Sequence, residues 1–247
     1  MKEYYENTYR LRLTRRTPVI LRIDGRAFHT FTKGFDRPYD MPFQIAMWKT
    51  AKYLCENIQG ARFAYEQSDE ISILLIDYDK LTTSAWFDNN IQKMVSVASS
   101  MATMAFNQAF FSETLQAYKK GFCDEEKYER YQNKFFTATF DARVFNIPES
   151  EVCNYFVWRQ TDATKNSVST LGRVYFSDRE LHGLNRNQVQ DLLIAKGINW
   201  NNSPTFFKRG ICVEKKLRDG KLEWEIDNEI PIFSQARQYV EKHLAVN

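Results

Sequence analysis

Two acidic pairs in this chain stand where carboxylates can hold divalent metal ions. Asp24-Gly25 closes the apolar run Val19-Ile20-Leu21-Arg22-Ile23, and Asp69 lies in the polar connection Gln67-Ser68-Asp69-Glu70 between two strand-like segments. An acid directly after a buried strand sits at the edge of a sheet, where ligands reach it. A second acid at the tip of a neighbouring hairpin can face the first. Two such carboxylates can bridge two Mg²⁺ ions about 3.5–4 Å apart, an arrangement that activates an attacking oxygen and steadies a leaving pyrophosphate. Gly25, without a side chain, lets its carbonyl approach a metal and lets the turn take a positive φ. The amides of Arg26, Ala27, Phe28 and His29 follow as candidate donors to triphosphate oxygens. Taken singly, each acidic dipeptide is equally an ordinary turn; the order of the elements around them joins the two.

Pro42 opens a helix over about 43–57, in which Ile45, Trp48, Ala51, Cys55 and Ile58 recur at three and four and turn one face inward. Residues 62–66 and 71–76 read as the strands of an antiparallel hairpin with Asp69 at its tip. A helix over about 88–111, rich in Ala, Met and Ser, precedes a strand over 134–146. Strand, helix, hairpin, helix, strand is the βαββαβ ferredoxin-like pattern. It predicts an α+β protein: an antiparallel sheet, flanking helices and a C-terminal extension. The charged residues 112–133 are expected to be an insertion or a mobile connection. The last third predicts helices over about 149–162 and 187–196, a hairpin turning at Arg218-Asp219-Gly220-Lys221, and a final helix from about Ser234.

The bulk numbers permit this frame. With 247 residues, 43% hydrophobic and 15% aromatic, the chain can bury a full core and is not disordered. The formal net charge is only +3, but bases cluster: seven Lys/Arg against three acids over 1–26, and six against two over 208–221. Such clusters suit phosphate neutralisation, and equally a solvated edge. Cys55, Cys123, Cys153 and Cys212 are scattered without zinc-site spacing, which points to free thiols in a reducing compartment. No run approaches the roughly 18 apolar residues of a membrane span, so a soluble, cytoplasmic protein is expected.

Five blocks carry a family resemblance. Arg22 to His29, Gln67 to Glu70, Phe140 to Val144, Trp158 to Asp162, and Ile198 to Asn202 running to Lys208-Arg209-Gly210 resemble, in order, the tRNA-histidine guanylyltransferases and their repair-type relatives, the 3′-to-5′ RNA polymerases. The resemblance implies a palm-like catalytic domain over 1–147, with a C-terminal region over 148–247 that packs on it and adds RNA or nucleotide contacts. It implies ATP or GTP activation of a 5′-monophosphate, then attack by the 3′-hydroxyl of an incoming nucleoside triphosphate. By position, Asp24, Asp69 and the Gly25 carbonyl would hold two Mg²⁺ ions, and Glu70 would be a supporting acid. Arg26 to His29 would cradle a triphosphate. Ser68, Arg37 and Lys93 would touch a second triphosphate or the 5′ end, and Asn199, Asn202, Lys208 and Arg209 the RNA or a nucleotide. A homotetramer acting on tRNA is implied as well.

One departure marks a branch. Where the strict histidine-tRNA enzymes read His-Ile-Asn-Asn-Leu-Tyr-Asn, this chain reads Thr164-Lys165-Asn166-Ser167-Val168-Ser169-Thr170. That favours 5′-end repair, in which pairing with the opposite strand selects the nucleotide, over histidine-specific G addition. A palm-fold nucleotidyl cyclase would not need the basic clusters. A non-catalytic RNA-binding module would not keep two facing carboxylates. Trp48, Trp86 and Trp158 are expected in the core, with Trp200 in its polar Asn run the better candidate for stacking.

Overall fold

The structure, a computed structural model, describes residues 1–246. Strand β1 (Val19–Gly25) leads through the short helix α1 (Phe28–Phe31) to α2 (Met41–Asn57). The hairpin β2 (Ala61–Gln67) and β3 (Glu70–Leu75) follows, then α3 (Ile91–Lys119), α4 (Glu125–Gln132) and β4 (Phe140–Asn146). This completes the βαββαβ unit. Its strands lie in the order β4-β1-β3-β2, every neighbouring pair antiparallel.

The C-terminal third has the helices α5 (Glu149–Tyr175), α6 (Asp178–Leu181), α7 (Arg186–Ala195) and α8 (Thr205–Arg209). The hairpin β5 (Ile211–Arg218) and β6 (Lys221–Asp227) comes next, then α9 (Gln238–Glu241). β5 pairs with β2, so the hairpin extends the first sheet to six strands.

Alternation along the strands divides the core in two. Val19, Leu21 and Ile23 pack with Ile71, Ile73 and Leu75 against α2 and α3, where Phe28, Phe31, Phe106 and Phe110 gather. Ile20, Phe63, Tyr65 and Leu74 face Val152 and Phe156 of α5. Asp40 caps α2 by accepting from the Phe43 amide at 3.2 Å, and Asn90 caps α3 through the Lys93 amide at 3.0 Å. None of the described helices is long and apolar enough to cross a membrane.

Three expectations need correction. Residues 112–133, expected as an insertion or a mobile connection, are largely helical and packed: α3 runs on to Lys119, and α4 buries Tyr128 and Tyr131 in the core. Tyr131 donates to Asp40 at 2.7 Å, a tether the local charge density conceals. The strand expected from 134 begins only at Phe140, because 134–139 turn through Phe136 at φ 60°. Helix α5 continues well past 162 to Tyr175, its second half buried against α7 through Val168, Leu171 and Gly172.

Candidate active site

Register builds the site. On the face turned to α5, strands β4, β1, β3 and β2 align Phe145, Ile20, Leu74 and Phe63 in one row. The next row is Arg143, Arg22, Ser72 and Tyr65, and the last is Asp141, Asp24, Glu70 and Gln67. The surface thus passes from apolar to basic to acidic within a few residues of strand.

At the acidic end the β2–β3 hairpin turns through Ser68 and Asp69. Ser68 has φ 58°, a left-handed conformation that costs a serine energy and recurs at functional sites. The turn brings the Asp69 carbonyl to the Gly25 amide, which donates to it at 3.0 Å and ties the hairpin tip to the end of β1. The Asp69 carboxyl is pushed up to about 6, first by burial and then by the charge of Asp24. The Asp24 side chain is one-third exposed, with the Arg22 and Arg143 guanidinium groups each 3.9 Å away.

Among the described residues no group of three His, Cys, Asp or Glu side chains forms a protein-only metal cage. Mg²⁺ does not need one, since it uses one or two carboxylates and takes water and substrate phosphates as its other ligands. An all-oxygen donor set containing a carboxylate whose charge is opposed by burial and by its neighbour fits a hard dication. Asp24, Asp69 and the Gly25 carbonyl are the groups that would hold it.

The cleft beside these acids has a volume of about 550 Å³ and is lined by Ser68, Ala27, His29 and Arg37 as well as by Asp24, Gly25 and Asp69. The Ala27, Phe28 and His29 amides at the start of α1 donate to no backbone carbonyl and can serve an anion, whereas the Thr30 and Phe31 amides donate to the Ala27 carbonyl at 2.9 and 3.2 Å. The free run starts at Ala27 rather than Arg26, because the Arg26 amide donates to the Thr139 carbonyl at 2.9 Å. Gly25 lies in β1 and not at positive φ; a Cβ there would sit 2.4 Å from the Phe28 ring. Phe28 itself is buried against Phe106 and Phe140, so its ring anchors the loop and only its amide can face the cleft.

Glu70 is buried beneath the cleft, where Arg159 of α5 donates to both its oxygens at 2.7 Å and Arg22 lies 3.5 Å away. Its charge is thus balanced by two guanidinium groups, and the Arg159 bonds tie α5 to the acidic end of the sheet. Lys93 is not brought to the cleft: it stands over Phe87, next to Met94, which lines a small cavity with Val19 and Leu75 at the other end of the sheet.

Lys208 and Arg209 line a separate hollow with Arg186, Trp200 and Asn201. There Lys208 donates to the Asn201 carbonyl at 2.6 Å, while Asn199 caps the turn that carries Trp200 and Asn202. Sequence reasoning missed the α5 wall of the cleft, formed by Ala163, Asn166, Ser167 and Thr170. Their spacing of three and four from Arg159 is the signal that marks them as one helix face.

A sheet of this topology, with two acids at its edge beside a polar cleft, suits a nucleotidyltransferase, and the relatives of this chain are enzymes of that class. The tRNAHis guanylyltransferase family model matches residues 1–148. A bacterial tRNA(His) guanylyltransferase-like protein solved in complex with ATP superposes with a TM-score of 0.87 at 46% identity, over 99% of this chain and 97% of that one. A corresponding structure in complex with GTP gives a TM-score of 0.80 at 44% identity, over 98% and 96% of the two chains. The tRNA(His) guanylyltransferase of Saccharomyces cerevisiae is 26% identical over 80% of this chain and 82% of its own length. The chain belongs to the tRNAHis guanylyltransferase family.

Proposed function

We propose that this chain repairs tRNA 5′ ends by template-directed addition of nucleotides in the 3′-to-5′ direction. A 5′-phosphate oxygen of the RNA attacks the α-phosphorus of ATP or GTP and pyrophosphate leaves. The 3′-oxygen of an incoming nucleoside triphosphate then attacks the activated 5′ phosphorus, and the bond to the activating nucleoside monophosphate breaks.

The observation that carries this reading is the convergence of Asp24 and Asp69 on a cleft that is also lined by Ala27, Phe28 and His29, whose amides bond no backbone carbonyl. Bound Mg²⁺ would supply the positive charge that activates the attacking oxygen and stabilises the leaving group. The Ala27 to His29 amides and Arg37 orient phosphates, and the hairpin–β1 hydrogen bond keeps the two acids in register. ATP and GTP in the two solved relatives support nucleotide triphosphates as substrates.

The repair branch draws support from the 164–170 segment. It lies within α5 and turns Asn166, Ser167 and Thr170 toward this cleft, which leaves them facing the reacting end and not a distant anticodon. A tRNA lacking its first nucleotide, incubated with the protein, Mg²⁺, ATP and GTP, should lengthen at its 5′ end. The added base should follow the opposing one, U directing A and C directing G, while anticodon changes alter the rate by less than about tenfold, under about 1.4 kcal/mol. G addition regardless of the opposing base would move the protein to the strict branch. A homotetramer is part of the proposal, to be checked by sedimentation.

A further inference from the structure

Trp158 departs from the pattern of its helix. Tyr155, Arg159, Ala163 and Asn166 recur along the side of α5 turned to the sheet and cleft. Trp158, one turn after Tyr155, keeps its indole 53% exposed where the sequence predicts a core residue. The ring is nonetheless held in place. The Arg159 guanidinium lies 4.5 Å from its centroid, and Tyr155 meets it edge-on at 5.8 Å. Neither support can swing freely, since Arg159 is bonded to Glu70 and the Tyr155 hydroxyl is 2.8 Å from Ser72. Holding a rigid indole at the surface avoids the entropy of ordering it on binding.

Its position is specific. One guanidinium separates the indole from Glu70, which pairs in register with Asp24. Tyr155 also faces Phe145 of β4, and in the next row of that strand the half-exposed Arg143 donates to Asp141 at 3.1 Å and stands 3.9 Å from Asp24. The nucleotide-cleft residues Ala163 to Thr170 come five to twelve positions later, about 8–18 Å further along the helix. The acids therefore have the cleft on the side of Ala163 to Thr170 and, behind the Arg159 guanidinium, the exposed aromatic face of Trp158.

We propose that Trp158 is the stacking platform for the terminal base at the 5′ end of the RNA substrate. This rests on the RNA reading above. A platform that stacks a base without reading its edges suits an enzyme whose nucleotide choice comes from pairing, because every base offers a π face.

The test measures equilibrium binding, without turnover, of a 5′-truncated tRNA carrying 2-aminopurine as its first nucleotide. Wild type should quench the probe. Trp158→Tyr should keep the quench and bind RNA within about threefold of wild type. Trp158→Leu, which keeps bulk on the helix, should lose the quench and weaken RNA binding about tenfold. ATP affinity should stay within about twofold in both variants. A Trp158→Leu protein that binds and quenches like wild type overturns the platform, and so does a loss that falls equally on ATP. A wild type that binds and quenches but adds no nucleotide counts against the repair reading and leaves the platform standing; one that binds no RNA overturns both.

Discussion

The two faces of one sheet treat acids in opposite ways. Toward α2 and α3 the strands present an apolar surface, interrupted in β2 by Glu66, which is buried next to Trp48. Burial, and then the charge of Asp69, push the Glu66 carboxyl well above the ordinary carboxylate range. Toward α5 the same strands carry Arg143, Arg22, Asp141, Asp24 and Glu70, and there the buried acid Glu70 is met by Arg159 through two hydrogen bonds. A sheet thus tolerates an acid either by keeping it neutral or by supplying a counter-charge. The second solution preserves a charged, hydrated end of the sheet for substrates, and the first face carries the stability.

If the faces divide labour in this way, substitutions on them should separate activity from stability. The largest effect is expected at the acids of the site. Asp24→Ala or Asp69→Ala should lower nucleotide addition by at least about a thousandfold, because the charge stabilisation lost is several kcal/mol. The melting temperature should hold, since removing either carboxylate relieves repulsion from the other. Turnover near that of wild type by folded Asp69→Ala protein would remove it from the chemistry.

On the opposite face Phe106→Ala should cost about 3–5 kcal/mol in urea unfolding, because Phe106 packs against Phe28, Phe43 and Phe110 with no exposure. Activity per folded molecule should survive. Arg159→Ala tests the boundary between the faces. It leaves Glu70 buried without its partner and should destabilise by about 3 kcal/mol or more. Adding Glu70→Gln should recover part of that loss, and a strictly additive double mutant would show that the two do not act as a pair.

The smallest effect concerns pH and the far edge of the α5 face. Burial opposes the charge of Glu214, but His243 and Lys242 outweigh it and hold the carboxyl down at about 2. An acid held below its unfolded value adds stability above about pH 4.5, and loses that stability as the pH falls toward 2. Burial lowers the His243 pKa, so the unfolded chain binds that proton more readily and stability begins to decline below about pH 6.5. Melting temperatures measured across this range should fall less steeply between pH 4.5 and 2 for Glu214→Gln than for wild type. Parallel curves would deny the cluster any role in holding the C-terminal segment.

What the sequence by itself determined is local. The apolar run ending at Asp24, the hairpin tip at Asp69 and the helix after Pro42 are legible because alternation, turn chemistry and helical spacing act over a few residues. The Asp219-Gly220 turn is legible for the same reason, both residues at positive φ as a two-residue hairpin asks. Tertiary structure decided everything that rests on residues far apart in the chain. Gly25 is required by the ring of Phe28 and not by a positive φ. Glu70 belongs to an arginine 89 positions later, and the charged α4 is anchored by a tyrosine reaching Asp40. Lys93 and Trp158 moved in opposite senses, one away from the cleft and the other out of the core to its rim. Neither was legible beforehand, because periodicity names the face of a helix but only the packed sheet decides what that face meets.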